Sequence, residues 1–514
     1  MKPEKQVIDW QDQSQRESIS LCQEAVLCFG HFDVIHPGHL RYLQFAREHG
    51  KSLVVAVEDD DPKEFPVRSA SLFSASDRAQ AVAALDLVDH VVLVTPTSLI
   101  EIIESLNFTA FVLGREFEED NGGPLEKVID LARKNNIDVL FTAGEAHYAT
   151  VSFFDKSQHE LEAARWHEFQ SVLGARGINL THLLQRFTAG DQKRILVVGD
   201  VIVDRYVACD PIGLSSESPT IVVKELQSRD FIGGAAIVAA HVAALGTKCE
   251  IVSVVGDDEN AAFISQKMAQ YGIDAHLSID NSRPTTFKIR YMVENQKLFR
   301  VSHLKEHRLA KDIESAVIRN IENSADKLAL IVVSDFVYGV ITSRILSTLV
   351  AVSKEFDIPL LGDLQCSSQI ENVGKFQDFE LLLPTEREAR IARNNQDSGV
   401  EQIANNLMEQ SRAKRLIVKL GGDGLIAYDR SSVANAQDRE HFAALSVNPI
   451  DVAGAGDALL AAIATGMSRS LSLMEAAAVG CCSAALAVET VGNIPVHIDR
   501  VRDFARIREN AASE

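Results

Sequence analysis

Short apolar runs that stop at glycine or aspartate alternate along this chain with longer stretches in which apolar residues recur every three or four positions. Residues 25–30 (AVLCFG), 52–57, 88–94 and 111–114 are strand-sized runs of the first kind. Near-continuous apolar character over so few residues reads as a strand buried on both faces, as in a parallel sheet. The stretches at 40–47, 77–85 and 97–106 carry helical spacing between them. From residue 194 the alternation resumes: RILVVG, then 328–333 (LALIVV), 360–363 (LLGD) and 417–419 each run into a glycine or acidic turn. Strand and helix in alternation predict an α/β fold whose ligands sit at the carboxyl edge of parallel strands, where strand order reverses.

The pattern separates the chain into blocks. Residues 1–24 form a polar lead-in, 25–157 a first α/β domain and 194–514 a second. Between them, 158–193 keeps leucines and aromatics at helical spacing over 158–173 and 181–187, so it reads as a helical connector against which Trp166 packs a domain. A length of 514 residues suits two to four domains. The net charge of -21 argues against a nucleic-acid partner and against docking on anionic lipid. The first residues lack the apolar core of a secretory signal, and no apolar run is long enough to cross a bilayer. Seven scattered cysteines without C-x-x-C spacing imply reduced thiols, with neither disulfides nor a zinc site. A cytoplasmic enzyme is expected.

The densest chemical signal is 447–457, VNPIDVAGAGD, which opens into the small-residue stretch ALLAA. The small residues Ala453 to Gly456 between two acidic side chains leave a bare backbone, and the helix that follows points its N–H groups and positive end at one spot. That spot suits an anion. Asp457 beside a bound phosphate would repel it, so its chemistry fits a base that takes a proton from an attacking hydroxyl. As an isolated motif it reads equally well as a glycine turn capped by an aspartate.

A second signal is 30–39, GHFDVIHPGH, between the first strand and the first helix. His36 and His39 stand three apart at a helix start, where two imidazoles and helix N–H groups together can hold phosphate oxygens. Taken alone, the pair also reads as two loop histidines or as two metal ligands.

The longer strings resemble two known families. GHFDVIHPGH is similar to the G-x-F-D-x-x-H-x-G-H string of the nucleotidyltransferase superfamily. That resemblance implies a Rossmann-like domain in which His36 and His39 stabilise the α-phosphate of a nucleoside triphosphate, with Gly30, Phe32, Asp33 and Gly38 shaping the site. The order of Arg68 and Arg78 before LVDHVV resembles the heptose-1-phosphate adenylyltransferases. It implies Arg78 and Gly114 at the nucleotide with Arg115 as a phosphate contact, and the superfamily's Ser/Thr-rich closing turn is matched by Thr150 and Ser152. The R-T-x-G-I-S-T string of cytidylyltransferases is absent, which favours ATP over CTP.

The second half resembles the ribokinase-like (PfkB) sugar kinases, whose D-x-x-G-A-G-D string matches Asp451 to Asp457. The resemblance implies an α/β/α domain with a small β lid, Asp457 as the base, and Gly454, Ala455 and Gly456 as the anion hole. Asp204, with Asp200, Gly233 and Gly234, would grip the sugar. Lys288, Arg290 and Arg300, in a segment similar to heptose-7-phosphate kinases, would meet its phosphate. Glu388 would organise magnesium indirectly, and Gly421 and Gly424 would bound the adenine. Such kinases often pair through the lid, so a homodimer is expected, with 220–224 and 286–292 as lid strands.

Four positions depart from the kinase pattern: Ile237 and Thr385 stand where asparagine is usual, and Tyr338 and Gln365 where lysine is usual. Together the halves resemble the bifunctional heptose-7-phosphate kinase / heptose-1-phosphate adenylyltransferases of ADP-heptose synthesis, with the domain order reversed. The resemblance implies Mg2+ and ATP in both sites, with a sugar phosphate as acceptor. The altered acceptor positions leave two further readings: the same reactions on another sugar or polyol phosphate with CTP as an option, or a kinase domain that senses a sugar and regulates the transferase.

Overall fold

The computed structural model describes residues 7–8, 10, 24–33, 35, 37–60, 73–114, 125–142, 158–189, 193–214, 220–293, 296–305, 307–366, 371–394, 398–430 and 438–511. They divide into two units, 1–161 with 395–406, and 162–394 with 407–514.

The apolar runs of the first unit become a six-stranded sheet of β1 (Val7–Ile8), β2 (Ala25–Gly30), β3 (Ser52–Glu58), β4 (His90–Val94), β5 (Phe108–Gly114) and β6 (Asp138–Thr142). Its order is β1-β4-β3-β2-β5-β6, and every pair is parallel. Alternate residues of β2 enter opposite cores: Leu27 and Phe29 face one, Val26 and Cys28 the other. Burial on both faces is why these strands read as unbroken apolar runs. Strand order reverses at β2, which lies between β3 and β5. There the Tyr42 hydroxyl accepts from the Phe29 N–H at 3.0 Å and donates to the Val112 carbonyl at 2.7 Å, tying the two strands together where their ladder ends. Part of the polar lead-in also joins this unit: Val7–Ile8 pairs with β4, and buried Trp10 donates its indole N–H to Glu101 at 3.2 Å.

The second unit carries two sheets. The larger is built from β7 (Arg194–Gly199), β10 (Cys249–Val255), β11 (Asp274–Ile279), β14 (Leu328–Asp335), β15 (Leu360–Leu364), β16 (Leu381–Leu382), β17 (Arg415–Lys419), β18 (Leu425–Asp429) and β19 (Asp438–Phe442). Its order is β11-β10-β7-β14-β15-β16-β17-β18-β19, parallel up to β17 and antiparallel beyond. The smaller sheet, ordered β13-β12-β8-β9, joins β8 (Val201–Leu214), β9 (Ile221–Gly234), β12 (Thr286–Val293) and β13 (Gln296–His303). β9 and β13 are largely exposed, as expected of a lid.

The helices Ala235–Ala244, Ala455–Ser468 and Leu473–Ala487 are rich in alanine and glycine and are buried on nearly every side. Small side chains let them pack closely; Gly480, for example, lies under Leu459 and Ile463. The expected connector forms the helices Gln158–Ala175 and Leu180–Thr188, which bury Trp166, Phe169, Leu183 and Phe187 in the same core. Arg176 fastens them to β19 through Asp438 at 2.7 Å and Glu440. The six cysteines of the described residues are free thiols. Among the described residues no helix is long and apolar enough to cross a membrane.

One local expectation fails. The sequence suggested an acidic turn holding Asp200 and Asp204 after β7, but the chain enters the lid after a single residue. Asp204 therefore lies within β8, opposite Phe231 of β9.

Candidate active sites

In the second unit the helix Ala455–Ser468 starts on the glycine turn. Gly454 is its N-cap at φ 83°, and a Cβ there would stand 2.6 Å from the Asn493 side-chain oxygen, so only glycine fits. Asp457 is buried in the first turn, where no capping side chain occupies the free N–H groups. Turn and carboxylate open on one cavity of 560 Å³. Lys288, Arg290 and Arg300 line its lid side, and Gly421, Gly422 and Gly424 another wall. Gly421 and Gly424 have φ of 66° and 90°, and a Cβ on Gly424 would strike the Phe442 carbonyl at 2.0 Å.

A chain of polar contacts runs beneath the turn. The Gln365 amide donates to Asp457 at 2.8 Å and to Asp363 at 3.3 Å, and Asp363 accepts from the Lys419 ammonium at 2.7 Å. Burial, reinforced by the negative Asp363, pushes the Asp457 carboxyl up to about 7. Burial also raises Asp363 above its ordinary value, although Lys419 opposes it. Burial works against the Lys419 charge, but Asp363 and Glu388 outweigh it and hold its pKa above that of a free lysine. A carboxyl raised toward neutrality and a fixed cation therefore sit side by side.

Glu388 closes a capping box. It accepts from the Thr385 N–H at 2.8 Å while Thr385 caps the Glu388 N–H at 3.2 Å, and its other oxygen accepts from the Cys366 N–H at 3.0 Å. Among the described residues no group of three or more metal-ligating side chains stands together. Glu388 nonetheless lines the cavity and would serve magnesium, which keeps several waters and needs only one or two carboxylates beside nucleotide phosphates.

On the lid, Arg290 pairs with Asp204 and lies over the Tyr206 ring at 5.3 Å. Asp204 also accepts from Asn493 at 3.3 Å, and a Cβ on Gly233 would stand 2.5 Å from the Asp204 carboxylate. The Arg290 charge, expected for a ligand phosphate, is thus matched within the protein. Buried Lys288 holds its ammonium 4.9 Å from the Tyr338 ring and 5.2 Å from the Phe336 ring. Asp200, expected at the sugar, serves the backbone instead: it accepts from the N–H groups of Phe336 at 2.8 Å, Tyr338 at 3.2 Å and Val340 at 3.2 Å. Gly234, at φ 60°, lets the chain pass the Asp200 carbonyl. Ile237 is sealed in the apolar core. Asp451 receives Lys297 and Tyr206, each at 2.8 Å; burial would raise its carboxyl, but these partners hold it below the usual range.

In the first unit the reversal at β2 holds the other motif. Phe32 is buried at φ 56°, and its ring lies 4.9 Å from that of His39. A Cβ on Gly30 would meet the Phe32 ring at 2.8 Å, which explains that glycine. Gly38 and His39 lie in the first turn of the helix Pro37–Arg47, and Asp33 accepts from the Phe73 N–H at 3.2 Å. Gly114 ends β5. Arg78, expected at the nucleotide, is fully buried: its guanidinium donates to the carbonyls of His31 at 2.5 Å and Glu58 at 2.9 Å, and to Asp60 at 2.6 Å. It braces the loop ends of β2 and β3. His31, not singled out from the sequence, sits 3.3 Å from Glu58. His36, Arg68, Arg115, Thr150 and Ser152 lie outside the described residues.

Residues 192–498 match the family model for the pfkB family carbohydrate kinases, and residues 27–179 the Cytidylyltransferase-like model. Among curated relatives, the Bifunctional protein HldE of Campylobacter jejuni subsp. doylei is 28% identical over 325 residues, 62% of this chain and 66% of that protein. The same-named protein of Methylobacillus flagellatus is 29% identical over 334 residues, 64% of this chain and 66% of that one. The chain thus spans 66% of the length of these relatives. Phosphofructokinase-2 from Escherichia coli, solved with potassium, shares the fold: TM-score 0.52 at 16% identity, over 62% of this chain and 99% of that one. With more than half its length matched, and a nucleotidyltransferase-like domain ahead of the match, the chain belongs to the pfkB family of carbohydrate kinases.

Proposed function

We propose that the second domain phosphorylates the anomeric hydroxyl of a sugar phosphate, heptose 7-phosphate, from ATP. The first domain then transfers AMP from a second ATP to a sugar 1-phosphate and releases pyrophosphate. The observation that carries the kinase reading is Asp457, a buried carboxylate near neutrality in the first turn of the helix that also presents the Gly454 to Gly456 turn. Asp457 takes the proton of the attacking hydroxyl, and the helix N–H groups hold the transferred group. Magnesium, when bound, would neutralise nucleotide phosphates, with Glu388 organising it indirectly. Lys288 and Arg300 supply positive charge for the acceptor phosphate.

Support for two reactions in one chain comes from the bifunctional relatives and from the second motif at the strand reversal of the first unit. There His39, with His36, steadies the α-phosphate while the sugar phosphate attacks. Exposed Ile212, Ile221, Leu226 and Phe299 on the lid strands support pairing of two copies through the lid, in a soluble cytoplasmic enzyme. A second reading, a different sugar, draws on two observations: Asp204 already neutralises Arg290, and Tyr338 stands where the resembling kinases carry a lysine. The test is turnover with magnesium and a panel of heptose and hexose phosphates, following ADP from ATP, and pyrophosphate from ATP or CTP. ADP formed with a heptose phosphate above all others supports the reading. A preference for another sugar replaces the acceptor, and no ADP with any acceptor removes the kinase reaction.

A further inference from the structure

Gln365 stands where the resembling kinases carry a lysine, and the cavity is lined by another lysine, Lys419, that no motif assigned. Lys419 ends β17, two strands from β15 in the sheet, and reaches past the two-residue β16 to place its ammonium on Asp363 at 2.7 Å. Its backbone is pinned by donation to the Pro384 carbonyl at 2.9 Å and by a bridge to Thr385. Its Nζ lies 3.5 Å from the position a Cβ on Gly456 would take, directly beneath the anion turn. Asp363 is its one side-chain partner among the described residues, so two of its three N–H donors remain for a ligand. Gln365 meanwhile puts a neutral amide on Asp457.

We propose that Lys419 is a catalytic residue: its ammonium contacts the transferred phosphoryl group and supplies the positive charge missing at position 365. The inference rests on the kinase reading above. In the step it serves, the acceptor hydroxyl passes its proton to Asp457 and its oxygen bonds to the γ-phosphorus. The bond from that phosphorus to the β,γ-bridging oxygen breaks, and ADP leaves with the electron pair. Negative charge on the moving phosphoryl group passes closest to the Gly456 backbone, where Lys419 lies.

The test compares Lys419→Met with the double variant Lys419→Met/Gln365→Lys in the full chain. We expect the single variant to lose about 100-fold in kcat with the acceptor KM little changed, and the double variant to recover at least about tenfold. A kcat within about threefold of the unaltered protein, or a folded double variant no faster than the single one, overturns the proposal. Should the methionine variant not fold, Lys419→Arg decides, because arginine keeps the ion pair with Asp363 but moves the charge. A kcat lowered about tenfold supports the role, and an unchanged one defeats it. Affinity for ADP with fluoroaluminate, which needs no acceptor, separates the two readings. If the unaltered protein turns over no sugar, the kinase reading fails, while weaker fluoroaluminate binding in Lys419→Met still upholds Lys419 as a phosphoryl contact and equal binding refutes it.

Discussion

The amide of Gln365 donates a 2.8 Å hydrogen bond to the carboxylate of Asp457. A lysine reaching the same oxygen would hold that carboxylate ionised well below neutrality. The neutral amide leaves burial and the nearby Asp363 in control, and they push Asp457 up to about 7.

The phosphorylation rate should therefore depend on pH. Asp457 acts as a base only when ionised, so kcat/KM should climb with pH to about 7 and level off above it. Stability should move the other way. Folded Asp457 keeps its proton up to about pH 7, while an unfolded carboxyl loses it near 3.8, so the native state is favoured at low pH and loses that advantage as pH rises through this interval. Asp457→Asn removes the dependence. Urea unfolding at pH 4 and pH 8 should show the variant gaining on the unaltered protein by on the order of 4 kcal/mol across the interval. Parallel curves for the two proteins would contradict this.

Gly454→Ala tests the turn. At φ 83°, with the Asn493 oxygen 2.6 Å from the new methyl, the backbone must shift. Strain of about 1–3 kcal/mol is expected in thermal unfolding, together with a fall of 100-fold or more in kcat as the anion hole widens. Normal turnover in a folded variant would show that the turn does not hold the reacting group.

Lys288→Met should raise the KM for a phosphorylated acceptor at least tenfold and leave the KM for ATP within about twofold, because its ammonium stands on the lid side of the cavity, over Tyr338 and Phe336. Steady-state kinetics varying each substrate in turn would read this. An equal rise in both constants would place Lys288 elsewhere.

In the first unit, Arg78→Ala should destabilise rather than slow the enzyme selectively. Removing a buried guanidinium orphans the His31 and Glu58 carbonyls and Asp60, at a cost of about 3–5 kcal/mol. The chain has two tryptophans, so Trp166→Phe leaves buried Trp10 as the fluorescent reporter of this unit. An unchanged denaturation midpoint would return Arg78 to the nucleotide.

The readable features were those set by local chemistry. The β2 run matched its strand residue for residue, because burial on both faces leaves an unbroken apolar signature. The glycine turn at 454–456 was legible as a turn because small residues there run straight into a small-residue helix. The Arg78 contacts were not legible because the His31 and Glu58 carbonyls and Asp60 lie 18 to 47 residues away, and nothing in the local sequence tells a buried brace from a phosphate contact. The backbone role of Asp200 was hidden for the same reason, since its three donors lie on a loop 136 to 140 residues on. Lys419 carries no local signal, because one charged residue at a strand end looks like solvated surface until the fold half-buries it against Asp363. The lid ran longer than expected, with β8 and β9 each 14 residues, because alternating polar and apolar residues there blend into the neighbouring loops.

Mass spectrometry of the product formed from heptose 7-phosphate and ATP, by the unaltered chain and by Asp457→Asn, bears most directly on the central claim. We expect a bisphosphorylated heptose and ADP from the unaltered chain and neither from the variant. Equal product from both, or none from the unaltered chain, would contradict the assignment of Asp457 as the base of a heptose phosphate kinase.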